Sequence, residues 1–81
     1  MRNLAGPRIR QARRSHVPKL TQAELAAQLQ VRGVDLDRST ITRIERQQRA
    51  VTDIELAALA NVLGVSSSWL LGEADDPQRV K

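Results

Sequence analysis

Cysteine, phenylalanine and tyrosine are absent from this chain of 81 residues, and it holds one tryptophan and one histidine. Without cysteine there is no disulfide and no thiolate zinc site. His16 has no thiolate to share a metal with, so an exposed loop position is its expected place. Leu, Ala, Ile and Val must build the interior, and alanine-rich segments that let helices approach closely favour an all-α bundle. A chain this short hides only about 60–65 % of its extended surface, which sets one domain with a modest core. No stretch approaches the ~18–20 apolar residues of a membrane span, and the N-terminal residues hold no apolar signal core. A cytoplasmic protein without a membrane partner is expected. Acid–base and nucleophile constellations are missing too. Ser66, Ser67 and Ser68 have no His or Lys placed to activate them, and Asp75 and Asp76 beside Pro77 read as solvent-facing. No enzyme, cofactor or small-molecule ligand is expected.

Acidic residues are scarce in the first part of the chain. Residues 1–49 carry eleven Lys/Arg against four Asp/Glu, whereas residues 50–81 carry two against five. Such asymmetry is the footprint of a polyanion partner. Eleven of the thirteen basic residues are arginine, which binds phosphate and guanine bidentately.

Local signals divide the chain into five helices. Pro7 suits a first turn, which gives a helix from Ala5 or Pro7 to about Arg14 with Leu4, Ile9 and Ala12 as its apolar stripe. Pro18 ends it within a connection from Ser15 to Lys19. Thr21-Gln-Ala-Glu24 is a capping box with Leu20 as its staple, opening a second helix that buries Leu25, Ala26 and Leu29. Gly33 tolerates the left-handed conformation and stops it. Val34 and Leu36 tuck inward from an extended segment. Asp37 caps a third helix from Arg38 to about Gln47, with Ile41 and Ile44 in the core. Thr52-Asp-Ile-Glu55 is a second capping box. It opens a helix from Asp53 to about Leu63 that buries Leu56, Leu59, Ala60 and Leu63 and ends at Gly64. Ser66 caps a last helix, Ser67 to Leu71, ended by Gly72. Residues 73–81 read as a flexible polar tail.

The third helix carries the most informative side chains. Arg38, Ser39, Thr42, Arg43 and Arg46 lie on the side that Ile41 and Ile44 do not occupy. This face suits a DNA groove, where phosphates attract the charge and the guanidinium fork reads base edges. It also suits a plain solvated basic face. Trp69 fits a base-stacking platform, a core position or a dimer contact. With Leu70 and Leu71 it stands on a helix too short to bury all three in one small monomer, so these three residues are the expected dimer interface.

Leu20-Thr-Gln-Ala-Glu-Leu-Ala26, Arg38-Ser-Thr-Ile-Thr-Arg-Ile-Glu45, and Leu63-Gly-Val-Ser66 followed by Trp69-Leu-Leu-Gly72 occur in that order. Together they resemble the lambda-repressor-like helix-turn-helix domain of the Cro/cI (Xre) family of transcriptional regulators, over residues 4–72. The resemblance implies a compact all-α five-helix bundle spanning residues 1–72, with helices 2 and 3 as the helix-turn-helix; in this chain the turn between them is extended. It implies a regulator, with repression the expected sign, that binds double-stranded operator DNA as a homodimer with helix 3 in the major groove. By position, Arg38, Ser39 and Arg43 would face bases with Thr42 beside them. Gln22, Arg46 and the following Gln48 and Arg49 would hold phosphate, and Arg13 would pair with Glu45. A toxin-neutralising interaction module that autoregulates is the rival reading. Three departures from the family pattern stand out: a longer segment between Leu29 and Ile41, Gln47-Gln48 where glycine is usual, and a longer link between helices 1 and 2.

Overall fold

Each helical stretch has an apolar stripe at three- and four-residue spacing, and most begin at a side chain able to cap it. In the computed structural model, which describes residues 1–77, the helices are α1 (Gly6–Ser15), α2 (Gln22–Val31), α3 (Arg38–Glu45), α4 (Asp53–Leu63) and α5 (Ser67–Leu70). No strand occurs among the described residues. Both capping boxes form as the sequence predicts. Thr21 Oγ1 accepts from the Glu24 N–H at 3.1 Å while Glu24 Oε1 accepts from the Thr21 N–H at 2.9 Å, and Thr52 and Glu55 repeat the arrangement. Asp37 and Ser66 accept from the Thr40 and Trp69 amides at 2.8 and 3.0 Å.

The start of α1 has no such local cap. Asn3 supplies one: its Oδ1 accepts from the Gly6 N–H at 2.8 Å, and its amide donates to the carbonyls of Ile44 at 3.1 Å and Arg49 at 2.7 Å. One side chain thus satisfies an orphan donor at the head of α1 and adds a second donor to a carbonyl at the foot of α3. The two ends lie so close that a Cβ on Gly6 would collide with the Ile44 carbonyl oxygen.

The turn between α2 and α3 begins with a Schellman motif. Gly33, at φ +79, donates to the Gln30 carbonyl at 2.9 Å, and Val34 donates to Leu29 at 3.0 Å. The added length of this segment is spent inward, since Val34 and Leu36 are both buried. The loop after α3 closes by the same motif without a glycine. Gln47 takes φ 61, its N–H donates to Ile44 at 2.9 Å, and the Gln48 N–H donates to Arg43 at 2.8 Å. The departure at Gln47-Gln48 therefore leaves a left-handed turn in place, and it ends α3 at Glu45 rather than at Gln47. A non-glycine residue there costs about 1–2 kcal/mol. The Gln47 side-chain amide offsets part of this by donating to the Asn3 carbonyl at 3.0 Å.

The core lies where α1 meets α3, α4 and α5, and where α2 meets α3 and α4. Ile9, Leu25, Leu29, Ile41, Ile44, Leu59 and Leu70 are fully buried. Each contributes roughly 1.5–3 kcal/mol. Several expectations need correction. Leu4 is 62 % exposed, because it precedes the first turn, and Ala5 at 1 % joins Ile9 and Ala12 as the inward stripe. Ala26 and Leu56 are half-buried rather than buried. Trp69 and Leu70 are not surface residues. Both α1 and α4 pack on α5, and Trp69 is 6 % exposed with the Arg8 guanidinium 4.8 Å from its ring centroid. Of the three residues expected at a dimer interface, only Leu71 keeps a partly exposed side chain. The segment read as a loose tail is also tied back as far as it is described. Arg8 donates to the carbonyls of Trp69 at 2.7 Å and Ala74 at 3.0 Å, the Glu73 N–H donates to Ser68 at 2.8 Å, and the Ser66 N–H donates to Pro77 at 2.9 Å. The rest of that tail, residues 78–81, lies outside the described residues.

Candidate nucleic-acid interface

Ile41 and Ile44 anchor α3 to the core, each 1 % exposed, and this fixes which side of the helix looks outward. That side presents Arg38, Ser39, Arg43 and Arg46, all exposed. Arg38, Ser39 and Arg43 share a short helix whose N-terminus is set by Asp37, and Arg46 is its C-cap. The Asp37 carboxyl is held below its ordinary pKa by the Thr40 amide, with a smaller contribution from the Arg43 charge. Among the described residues, the guanidinium groups of Arg38, Arg43 and Arg46 make no hydrogen bond or ion pair.

A chain of polar contacts holds α3 against its neighbours. Thr42 Oγ1 lies 2.9 Å from Gln22 Oε1 and 3.0 Å from the Arg38 carbonyl, either of which can take its proton. Gln22 Nε2 donates to Glu45 Oε1 at 3.2 Å. Glu45 in turn receives a two-pronged contact from Arg13, Nε to Oε2 at 2.7 Å and Nη2 to Oε1 at 3.0 Å. Arg13 also donates to the Leu20 carbonyl at 3.1 Å. The expected pair between helices 1 and 3 is therefore present, and its side chains are 12 % and 4 % exposed. Hydrogen bonding to Glu45 raises the Arg13 pKa against the lowering effect of burial. Thr42 and Gln22 are half-buried members of this chain and less open than Arg38 or Arg43. One N–H of the Gln22 amide remains for a partner outside it.

The loop after α3 divides differently from the expectation. Gln48 is exposed. Arg49 is not a free cation: its guanidinium grips Glu55 at 2.9 and 3.0 Å and also donates to the Ala50 carbonyl. The same Glu55 closes the capping box of α4, so Arg49 fastens the loop to that helix. The Arg49 contact, foremost, lowers the Glu55 pKa.

An open groove of about 790 Å³ runs between α1, the head of α2 and α3, and Arg38, Thr42 and Arg46 form its α3 side. Its opposite side holds Arg10 and Arg14 of α1, which the sequence reading did not single out. Their i, i+4 spacing puts them on one helix face and is the signal that was available. No buried side-chain polar atom among the described residues lacks a hydrogen-bond partner. No group of His, Cys, Asp and Glu there could hold a metal ion.

A short exposed helix, two isoleucines deep in the core and polar contacts to the helix before it, define a helix-turn-helix unit with a basic outer face. The sequence model of the family described as Helix-turn-helix matches residues 9–70. The chain belongs to this family, the helix-turn-helix proteins of Cro/cI (Xre) type, which are DNA-binding regulators. Neither the curated proteins nor the solved structures searched gave a match. No helix among the described residues is long and apolar enough to cross a membrane.

Proposed function

We propose that this protein is a sequence-specific transcriptional regulator that represses by occupying an operator as a dimer. The observation that carries the reading is the contrast among its arginines. Arg8, Arg13, Arg32 and Arg49 are engaged within the fold. Arg38 and Arg43 have no hydrogen-bond or ion-pair partner among the described residues and project from the outer side of α3. A guanidinium fork without an internal partner, on a helix narrow enough for the major groove, matches the O6 and N7 acceptors of guanine. Ser39 and Thr42 stand beside these two and complete the base-facing set. Arg46, Gln48 and the free N–H of Gln22 then serve phosphate, and such contacts set register rather than sequence. Binding itself is the activity, with no bond made or broken.

Selection of bound sequences from a random duplex pool tests this. An enriched motif is expected, with Arg38→Ala or Arg43→Ala each costing about 1–3 kcal/mol on the best site and relaxing preference at one position. Gln22→Ala and Arg46→Ala should weaken all sequences more evenly. An unchanged motif in both the Arg38 and Arg43 variants would defeat the base-reading assignment.

A further inference from the structure

The groove beside α3 has a second basic wall that base reading does not use. Arg10 and Arg14 lie across it from Arg38 and Arg46. On α1 they follow one another by a single turn, on the side away from the buried Ile9. Neither guanidinium makes a hydrogen bond or ion pair among the described residues. Arg13, between them, is consumed by Glu45. Among the described residues Glu45 is the one acid lining the groove, and both of its oxygens are taken by Arg13 and Gln22. Among the described residues the groove therefore holds four unneutralised cations and no free carboxylate. Like charges gathered without a counter-charge repel one another, and a negatively charged strand between them removes that repulsion. The groove is open to solvent, so a strand at its mouth can approach these cations.

Resting on the DNA-binding reading above, we infer that α1 forms a second phosphate-binding edge, in which Arg10 and Arg14 hold the backbone of the same duplex outside the bases read by α3. The contact adds affinity without sequence preference. Its charge is spent on counterion release, which fixes the measurement.

Binding of the full chain to its selected duplex is measured as a function of salt for the wild type, for Arg10→Ala/Arg14→Ala and for Arg32→Ala. Arg32 lies outside the groove and donates to Asn61, so its variant reports the effect of net charge alone. Each phosphate contact contributes about 0.9 to the slope of log affinity against log salt. The double variant should therefore be shallower by about 1.8, which amounts to about a tenfold smaller loss of affinity over a fourfold rise in salt. Its selected motif and its melting temperature should stay as in the wild type. Arg32→Ala should leave the slope nearly unchanged. A double variant with the wild-type slope, or an Arg32 variant with an equal change per charge removed, overturns the α1 edge and leaves base reading by α3 intact. A wild type that binds duplex without salt dependence, or not at all, overturns both.

Discussion

Arg13 and Glu45 meet in a setting nearly closed to water, and each would be stranded by loss of the other. Arg13→Ala should cost on the order of 2–3 kcal/mol of folding stability, well above an exposed arginine. Denaturant unfolding of the single and double variants with Glu45→Gln checks it, and an absence of coupling in the cycle would remove the pair as a stabilising contact. Sequence alone reached this pair only through the family resemblance, because nothing local links residues so far apart. Asn3 and Gly6 show the same limit more sharply. Their roles come from the approach of α1 to the end of α3, 41 positions along the chain in the case of the Asn3–Ile44 bond. An Asn ahead of a proline-led helix reads as an ordinary turn residue until the partner carbonyls are known. Gln47 belongs here too: a left-handed glutamine leaves no compositional mark, whereas glycine at that place would have announced the turn.

Helix starts were legible because a cap is a local event, a side chain reaching an amide three residues on. Four of the five starts follow from Thr21, Asp37, Thr52 and Ser66 read in that way. The fate of α5 was not legible, since whether a short helix is covered depends on what packs over it. A helix of four residues is enclosed when α1 and α4 close on it and Arg8 lies over its indole. Trp69→Ala should therefore lower the melting temperature, at a cost of about 3–5 kcal/mol. Leu71→Ala should leave the fold nearly unchanged and weaken cooperative occupation of a two-fold site. Thermal melts and binding stoichiometry of the two variants separate these roles. Lost cooperativity in a Trp69→Ala protein of native melting temperature would return the indole to the proposed dimer contact.

Across the whole molecule, acid should act through the capping carboxyls. Glu24, Asp37 and Glu55 are all held below their ordinary pKa values by hydrogen bonds, led by backbone amides for the first two and by Arg49 for Glu55. A depressed folded-state pKa adds stability that is fully present above the unfolded value and is lost as pH falls through the folded one. For Glu55 the decline begins below its ordinary value of 4.5. The melting temperature should be level at neutral pH and fall under acid conditions, and Glu55→Gln should start lower and fall less. An identical acid profile in that variant would show that Glu55 does not drive the loss. The excess positive charge of residues 1–49 foretold a basic surface but not its shape. The separation of engaged arginines from free ones is a property of the packed molecule. The contacts from Thr42 through Gln22 and Glu45 to Arg13 have one more consequence, for transplanting specificity. They divide α3 and its C-cap into positions that belong to the scaffold, namely Ile41, Ile44 and Glu45 with Thr42 serving both sides, and positions that belong to the proposed target, Arg38, Ser39, Arg43 and Arg46. A foreign recognition helix can be written into the second set while the first is kept, and a graft that discards Thr42 or Glu45 would detach the new reading head from the helix that aims it.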